Sequence, residues 1–185
     1  MSVQEVGASP QKTLEAALFI AQRLDKPDLH EVLKIRYFAD KLHFSKYGFP
    51  ASGDHYVAMN FGPVASKTYD LLKVARGNAS NFANHQYGAI VEGALRVEVV
   101  THLVVALRAP NTDYLSQADQ ECLEEAIREN GGMDFSARTA LSHDSAYDAA
   151  WAMAVQRHEK SYPMHLRSIA GALENADEVL AYLAA

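Results

Sequence analysis

The stretch from Asp28 to Tyr69 constrains the fold more than any other part of this chain. Apolar residues recur at helical spacing between Val32 and Leu42, and they cover an unusually wide arc of the helix surface. Such an arc predicts a helix that other elements enclose on several sides. Asp28 and Glu31 form a capping-box pattern at its start. The sequence YGFP at 47–50 ends it, because Gly permits a left-handed residue and Pro cannot continue a helix.

The residues after this helix predict a turn, a short strand at Tyr56–Met59 and a second helix. Pro63 is expected at the first position of that second helix, since Gly-Pro sequences often precede helices. We favour this structural role of Gly62-Pro63 as the start of a helix. The functional alternative is that Gly62-Pro63 presents Phe61 and the free amides of a helix N-terminus to a ligand.

Asp40 falls among the apolar residues of the long helix, so its carboxylate is expected to be half-buried and paired. Its partner is either Arg36, one turn earlier, or a group from the segment Gly53–Tyr56. A catalytic role for this carboxylate is the alternative, but no second acid or base lies nearby in the sequence. We therefore favour a structural hydrogen bond.

Several ordered motifs follow one another in this region. They read LKIRYFAD at 33–40, YG at 47–48, GDHYVA at 53–58, GPV at 62–64 and YDLL at 69–72. Together they resemble the Panacea domain family, which includes the SocA-like antitoxins. Weaker similarity continues through Tyr114-Leu115-Ser116 and Leu141-Ser142-His143 to Ala150-Trp151, and the chain departs from the family pattern at Arg36, where an apolar residue is more usual. The motif residues singled out are Tyr37, Asp40, Gly53, Asp54, Gly62, Pro63 and Trp151.

The remaining patterns predict an α+β fold that is predominantly helical: a helical bundle with one small antiparallel β-hairpin or a three-stranded sheet. Period-two alternation between Leu95 and Leu107 predicts a hairpin. Ser9-Pro10 begins a first helix, Ser116 and Asp119 begin another, and Tyr162-Pro163 is expected to break the chain. We predict one domain over residues 1–185, with 1–8 disordered and 156–185 as a C-terminal helical extension.

Composition and charge indicate the compartment and exclude some partners. Cys122 is the single cysteine, and no apolar run approaches the length of a membrane span. With no signal peptide evident, these features predict a cytoplasmic protein without membrane contact. The net charge of −6 makes nucleic acid an unfavourable partner. Residues 1–76 carry a net charge of +2 and residues 77–185 of −8, so the second half either attracts a basic partner or simply solvates helix surfaces.

The sequence contains no recognisable catalytic, cofactor-binding or metal-binding motif. No two of its eight histidines are three or four residues apart, the spacing that metal ligands on one helix need. Ser142-His143-Asp144 lists the residue types of a triad, but adjacent side chains point in different directions. We interpret it as a helix junction in which Ser142 or Asp144 caps the next helix. We therefore predict a protein that is not an enzyme and has no cofactor and no metal.

The family resemblance implies an antitoxin that neutralises a protein toxin, encoded by an adjacent gene, by direct binding. Exposed aromatic side chains would anchor the contact, and the candidates are Tyr56, Phe61 and Tyr69. Some SocA-like members also resemble adaptors that deliver the toxin to an ATP-dependent protease. The sequence leaves open whether the protein forms a homodimer.

Two other functions remain as alternatives. A transcriptional regulator of its own operon would use the helix carrying Lys34, Arg36, Lys41 and Lys46, although its apolar arc predicts burial. An uncharacterised enzyme would need Asp40, Asp54 and either His55 or His143 to converge in one pocket.

The chain ends in Leu183-Ala184-Ala185, which resembles the ending of a bacterial tag that marks proteins for degradation. A degradation signal would suit an antitoxin, because antitoxins are generally the labile partner. The alternative is an alanine-rich helix end that frays.

Overall fold

The computed structural model describes residues 9–184, and all structural statements concern that range. The helices are α1 Pro10–Arg23, α2 Leu29–Tyr47, α3 Ser66–Arg76, α4 Asn81–Val91, α5 Gln117–Asn130, α6 Phe135–Ser142, α7 Ser145–Gln156, α8 Leu166–Gly171 and α9 Ala176–Ala184. The strands are β1 Tyr56–Met59, β2 Gly62–Ala65, β3 Leu95–Val97, β4 Val104–Ala106 and β5 Tyr162–Met164. This mostly helical α+β architecture confirms the predicted fold class. The predicted disorder of residues 1–8 concerns positions outside the described range.

Helix α2 occupies the centre of the molecule, as the wide apolar arc predicts. All ten residues from 31 to 40 are buried. The helix packs against α5, α6 and α1, against strand β2 and against the C-terminal helices α8 and α9. Because its whole circumference is covered, its polar side chains must find partners within the protein.

Only half of the expected capping box forms at the start of α2. The Asp28 carboxylate accepts a hydrogen bond from the Glu31 amide at 2.6 Å, as predicted. The Glu31 carboxylate does not reach back to the cap, because it accepts from the Gly132 amide at 2.9 Å and pairs with Arg138 at 3.2 Å. Glu31 thus ties the start of α2 to the segment between α5 and α6.

The larger sheet has the strand order β2-β1-β5, and both of its pairs are antiparallel. The Ser66 amide donates to the His55 carbonyl, which fixes the alternation of hydrogen-bonded pairs along β1 and β2. Pro63 and Pro163, opposite Ala58 and Val57, therefore fall in pairs without ladder hydrogen bonds. Each edge strand consequently has a proline, which lacks an N–H, at a position whose main-chain groups point away from β1.

The predicted helix start at Gly62-Pro63 is wrong, because these residues belong to strand β2. Helix α3 starts at Ser66 instead, and the side chain at its own cap position, Ala65, makes no capping hydrogen bond. The Asp54 carboxylate takes over this role from the preceding loop. It accepts from the amides of Lys67 and Thr68 at 2.8 and 2.9 Å.

The predicted break at Tyr162-Pro163 is also a strand. As β5, it pairs with β1 and turns a two-stranded hairpin into a three-stranded sheet. The segment from residue 156 onward is therefore more than a helical extension, because it adds a strand to the sheet as well as α8 and α9. The predicted hairpin is confirmed as β3 and β4, a separate two-stranded sheet. No helix in the described range is long and apolar enough to span a bilayer.

Replacing Asp54 with Ala tests the remote cap. We expect the free energy of unfolding to fall by about 2–3 kcal/mol, because two helix amides and the Thr68 hydroxyl lose their acceptor. Urea unfolding followed by circular dichroism measures the loss. Asp113→Ala is the matched control at an exposed position, with an expected effect within about 0.5 kcal/mol. Equal effects of the two substitutions would contradict the capping role.

Candidate partner-binding surface

Two phenylalanine rings meet on the surface beside the turn between β1 and β2. Phe61 lies in that turn and is 55% exposed, and Phe135, the first residue of α6, is 43% exposed. Their ring centroids are 5.3 Å apart in an edge-to-face arrangement. Paired aromatic rings that remain open to solvent are a common feature of protein-binding surfaces. We name these two residues the Phe61–Phe135 patch.

His30 contacts the ring of Phe135 and the main chain of Phe61. Its ring centroid lies 4.3 Å from that of Phe135, and its Nε2 atom lies 3.4 Å from the Phe61 carbonyl oxygen. The Nδ1 atom accepts from Arg138 Nε at 3.2 Å, so the proton of the neutral ring is on Nε2 and is donated to that carbonyl. Burial and the nearby charges of Lys34 and Arg138 lower the pKa of His30 to about 4. The ring is therefore neutral at neutral pH, as this support requires.

Lys34 holds the turn from the interior. Its ammonium group donates to the Pro63 carbonyl at 2.7 Å, while the side chain is only 1% exposed. Burial, with a smaller contribution from the charge of Arg138, lowers the pKa of Lys34 to about 7. Separating this buried donor from its one carbonyl partner would raise the free energy of the folded state. The hydrogen bond therefore restrains the position of Pro63 and of the turn that precedes it.

Gly62 lets the turn approach this lysine. Its φ angle is +100°, a conformation that side chains rarely adopt. A β-carbon at this position would lie 2.5 Å from Ser142 Oγ and 2.6 Å from Lys34 Nζ. The space beside Gly62 is thus filled by two polar side chains, and no other residue type fits without displacing them.

Helix α7 supplies a third support. The Tyr147 hydroxyl donates to the Met59 carbonyl at 3.0 Å. Its ring stacks on His143 with a centroid distance of 4.0 Å, and Trp151 continues the series nearly parallel at 6.4 Å. The motif residue Trp151 therefore supports this face of α7 from within and is half-buried.

The three aromatic residues expected at a partner surface lie in different environments. Phe61 is exposed, whereas Tyr56 is only 5% exposed because its hydroxyl donates to buried Asp40 at 2.7 Å. Tyr56 is therefore a core residue and offers no contact surface. Tyr69 is half-buried on α3, with Lys73 Nζ 4.7 Å from its ring centroid. Phe135 is not among the residues predicted from the sequence, because its only signal is an apolar residue next to the capping residue Asp134, outside the inward face of α6.

Asp40 has the structural role that the sequence analysis favoured. It accepts from the Ser52 amide at 3.0 Å, from the Ser52 hydroxyl and from Tyr56. Tyr56 confirms the expected partner segment, while the alternative partner Arg36 makes no ion pair with Asp40. Gly53, with a φ angle of +59°, shapes the turn between Ser52 and Asp54.

Ser142, His143 and Asp144 form a helix junction, as interpreted from the sequence. The Asp144 carboxylate accepts from the amides of Ala146 and Tyr147 and so caps α7. Its second oxygen accepts from the Tyr37 hydroxyl and from Lys41, each at 2.7 Å. The motif residue Tyr37 thereby joins α2 to α7.

The residues named for an enzyme are brought together only in part. Ser52 links the two acids, because its hydroxyl donates to the Asp40 carboxylate and accepts from the Asp54 amide at 2.9 Å. The His55 amide donates to the Asp54 carboxylate at 2.8 Å, while the residue itself is exposed. His143 stacks on Tyr147, and no hydrogen bond or ion pair in the described range joins it to Asp40 or Asp54.

The proposed recognition helix is α2, whose Lys34 and Arg36 are buried and cannot enter a DNA groove. In the C-terminal tripeptide, Leu183 is half-buried and Ala184 exposed, while Ala185 lies outside the described residues. The degradation signal therefore stays a prediction.

Comparison with known families identifies one matching family model. Residues 32–151, well over half of the chain, match the model described as antitoxin SocA-like, Panacea domain. The chain belongs to this family. No curated protein and no solved structure gives a significant match to it. The Panacea domain match runs from within α2 to within α7, so it includes β1, β2 and α6 and with them both rings of the Phe61–Phe135 patch.

Gly62→Ala tests how tightly the turn is seated. We expect a loss of about 2–4 kcal/mol in the free energy of unfolding, because the new methyl group meets Ser142 and Lys34 and also requires a positive φ angle. Gly93→Ala is the matched control, since Gly93 has a φ angle of +70° with open space around it. If both variants lose the same amount in urea unfolding, the close packing at Gly62 has no energetic weight.

The lowered pKa of Lys34 predicts a specific pH dependence. A lysine in the unfolded chain titrates near pH 10.4, so above pH 7 the unfolded state binds more protons than the native state. The free energy of unfolding should therefore rise with pH, by about 1.5 kcal/mol between pH 7 and 8.5.

Urea unfolding at several pH values in this interval measures the effect. Lys34→Met keeps the side-chain length without a titrating group, and we expect its stability to vary much less over the same pH range. Parallel curves for the two proteins would show that Lys34 remains fully charged in the native state.

Proposed function

We propose that this protein is an antitoxin that neutralises a protein toxin by binding it directly through the Phe61–Phe135 patch. Membership of the SocA-like antitoxin family supports the antitoxin role. The exposed ring pair on a rigid support is the single observation that carries the choice of surface. The toxin we propose is the product of an adjacent gene, and the site of action is the cytoplasm.

The physical reasoning for this surface rests on pre-organisation. A few central aromatic residues usually contribute most of the energy of an interface. The main chain around Phe61 is held by hydrogen bonds from His30, Lys34 and Tyr147 to the carbonyls of Phe61, Pro63 and Met59. The Phe61 ring itself packs against the ring of Phe135. Little conformational entropy is then lost when a partner covers the ring. On this proposal the protein acts by covering the working surface of the toxin and catalyses no reaction.

Co-expression tests the antitoxin role. The product of the neighbouring gene should arrest growth when a bacterial host produces it alone, and co-production of this protein should restore growth. Purified together, the two proteins should elute as one complex from a size-exclusion column. A neighbouring product that is harmless by itself, or that remains toxic beside this protein, would contradict the proposal.

A double variant, Phe61→Ser with Phe135→Ser, tests the surface. We expect its affinity for the toxin to fall about 100-fold or more, because two exposed anchors are lost, and growth rescue to fail. Phe82→Ser is the matched control, because Phe82 is 77% exposed on α4 and belongs to a different part of the surface. Isothermal titration calorimetry gives both affinities, and circular dichroism verifies that the variants fold. Unchanged affinity of the double variant would place the toxin elsewhere and leave the antitoxin role intact.

A further inference from the structure

A groove of about 250 Å³ separates helix α7 from strand β5. Three alanines of α7 line it, Ala146, Ala149 and Ala150, and we name them the floor. The rest of the lining, which we name the walls, consists of Met153, Tyr162, Pro163, Met164, His165 and Ser168. An apolar cavity of roughly 150 Å³ holds a benzene-sized group, so this groove has room for at least one leucine-sized or phenylalanine-sized side chain.

Several exposed charges follow α7 beside this groove. Arg157 and Lys160 lie in the connection between α7 and α8 together with Glu159, and Arg167 lies at the start of α8. None of the three cations forms an ion pair within residues 9–184, whereas most of the other exposed cations there do. The Arg157 guanidinium lies 5.1 Å from the ring centroid of Tyr162, one of the groove walls. With Glu159 included, the three cations leave a local charge of +2, opposite in sign to the net charge of −6 of the whole chain.

Two physical features narrow what could occupy the groove. The outward-facing position of β5 is Pro163, which has no N–H to donate, so a partner cannot extend the sheet as an added strand. A nucleic acid would meet the cations and the polar His165 and Ser168, but it would leave the alanine floor without an apolar partner, and the net charge of −6 repels it. A peptide segment with apolar side chains at its centre and acidic side chains at its ends matches both the alanine floor and the three cations, which we name the rim.

We propose that the groove between α7 and β5 is a docking site for an acidic amphipathic segment of a partner protein. One or two leucine-sized anchors would cover the alanine floor, and flanking carboxylates would pair with Arg157, Lys160 and Arg167. None of these residues belongs to the Phe61–Phe135 patch, so the site is independent of the toxin contact. Six of the nine residues that line the groove lie beyond 151, outside the family match.

Synthetic peptides of about 12 residues serve as probes of this chemistry. The first has a central Leu-Leu pair flanked by glutamates. The second replaces the glutamates with lysines, and the third replaces the leucines with serines. We expect the first peptide to bind at least about tenfold more tightly than either of the others, because only it has both the anchors and the charge. Amide chemical shifts of the full chain should change at α7, β5 and the connection between α7 and α8.

Two pairs of variants separate steric from electrostatic contributions. Ala149→Gln obstructs the floor, and Ala152→Gln is its control at an exposed position of the same helix outside the groove. Lys160→Ser with Arg167→Ser removes two rim charges, and Arg96→Ser with Arg128→Ser removes two exposed charges elsewhere. We expect about fivefold or greater loss of affinity in the first variant of each pair and less than about twofold in its control.

Several results would overturn the proposal. These are the absence of binding by the acidic leucine peptide at millimolar concentration, equal binding of the lysine peptide, and chemical-shift changes confined to other elements. Binding of an oligothymidine at the same cations without peptide binding would assign the surface to nucleic acid. A dimer in sedimentation equilibrium that Ala149→Gln dissociates would show that the occupant is a second copy of this chain.

Discussion

The polar side chains that α2 buries are the constraint on which the rest of the structure depends. Lys34 requires the Pro63 carbonyl, Tyr37 requires Asp144, and Asp40 requires Ser52 and Tyr56. Each of these partners belongs to a different segment of the chain. A buried donor or acceptor without a partner costs more free energy than a surface contact contributes. The β1–β2 turn, the start of α7 and the turn before β1 therefore have one permitted position each relative to α2.

The family motif accordingly specifies a scaffold more than a contact surface. Tyr37, Asp40, Asp54 and Gly62 all face inward and either cap a helix, close a turn or make room for a neighbour. Arg36, the position at which the chain departs from the usual pattern, illustrates the same constraint. Its Nε and Nη2 atoms are buried without a hydrogen-bond partner in the described range. An apolar residue at this position would avoid the free-energy cost of burying these two atoms.

Local patterns in the sequence were sufficient to predict the elements whose signals are local. The enclosed α2, the β3–β4 hairpin and the Ser116–Asp119 capping box of α5 are all confirmed. Strand β2 was mistaken for a helix start, because Gly-Pro is typical of such starts and the pairing with β1 is a tertiary feature. Strand β5 has three residues with a proline in the middle, and its identity also depends on a partner about 100 residues away. Helix α4 was not predicted.

The candidate site combines one residue that the sequence identifies with one that only the fold identifies. Phe61 could be named from its place in a turn, but Phe135 lies 74 positions later and meets it only through the folding of α6 onto α2. The remote capping of α3 by Asp54 likewise joins an acid to amides 13 and 14 residues away. Side-chain pairs of this kind have no periodicity, and the sequence therefore identifies the residue types without their neighbours.

The two prolines at the sheet edges have a consequence for how such a protein changes partners over time. Main-chain hydrogen bonds are nearly indifferent to side-chain identity, so a domain that recruits others by extending its sheet tends to accept many sequences. Pro163 obstructs that route at the β5 edge, and at the β2 edge the strand is buried and the Pro63 carbonyl is already bonded to Lys34. Recognition then rests with exposed side chains alone, and a handful of surface substitutions can redirect binding while the interior, with its fixed polar pairs, stays the same.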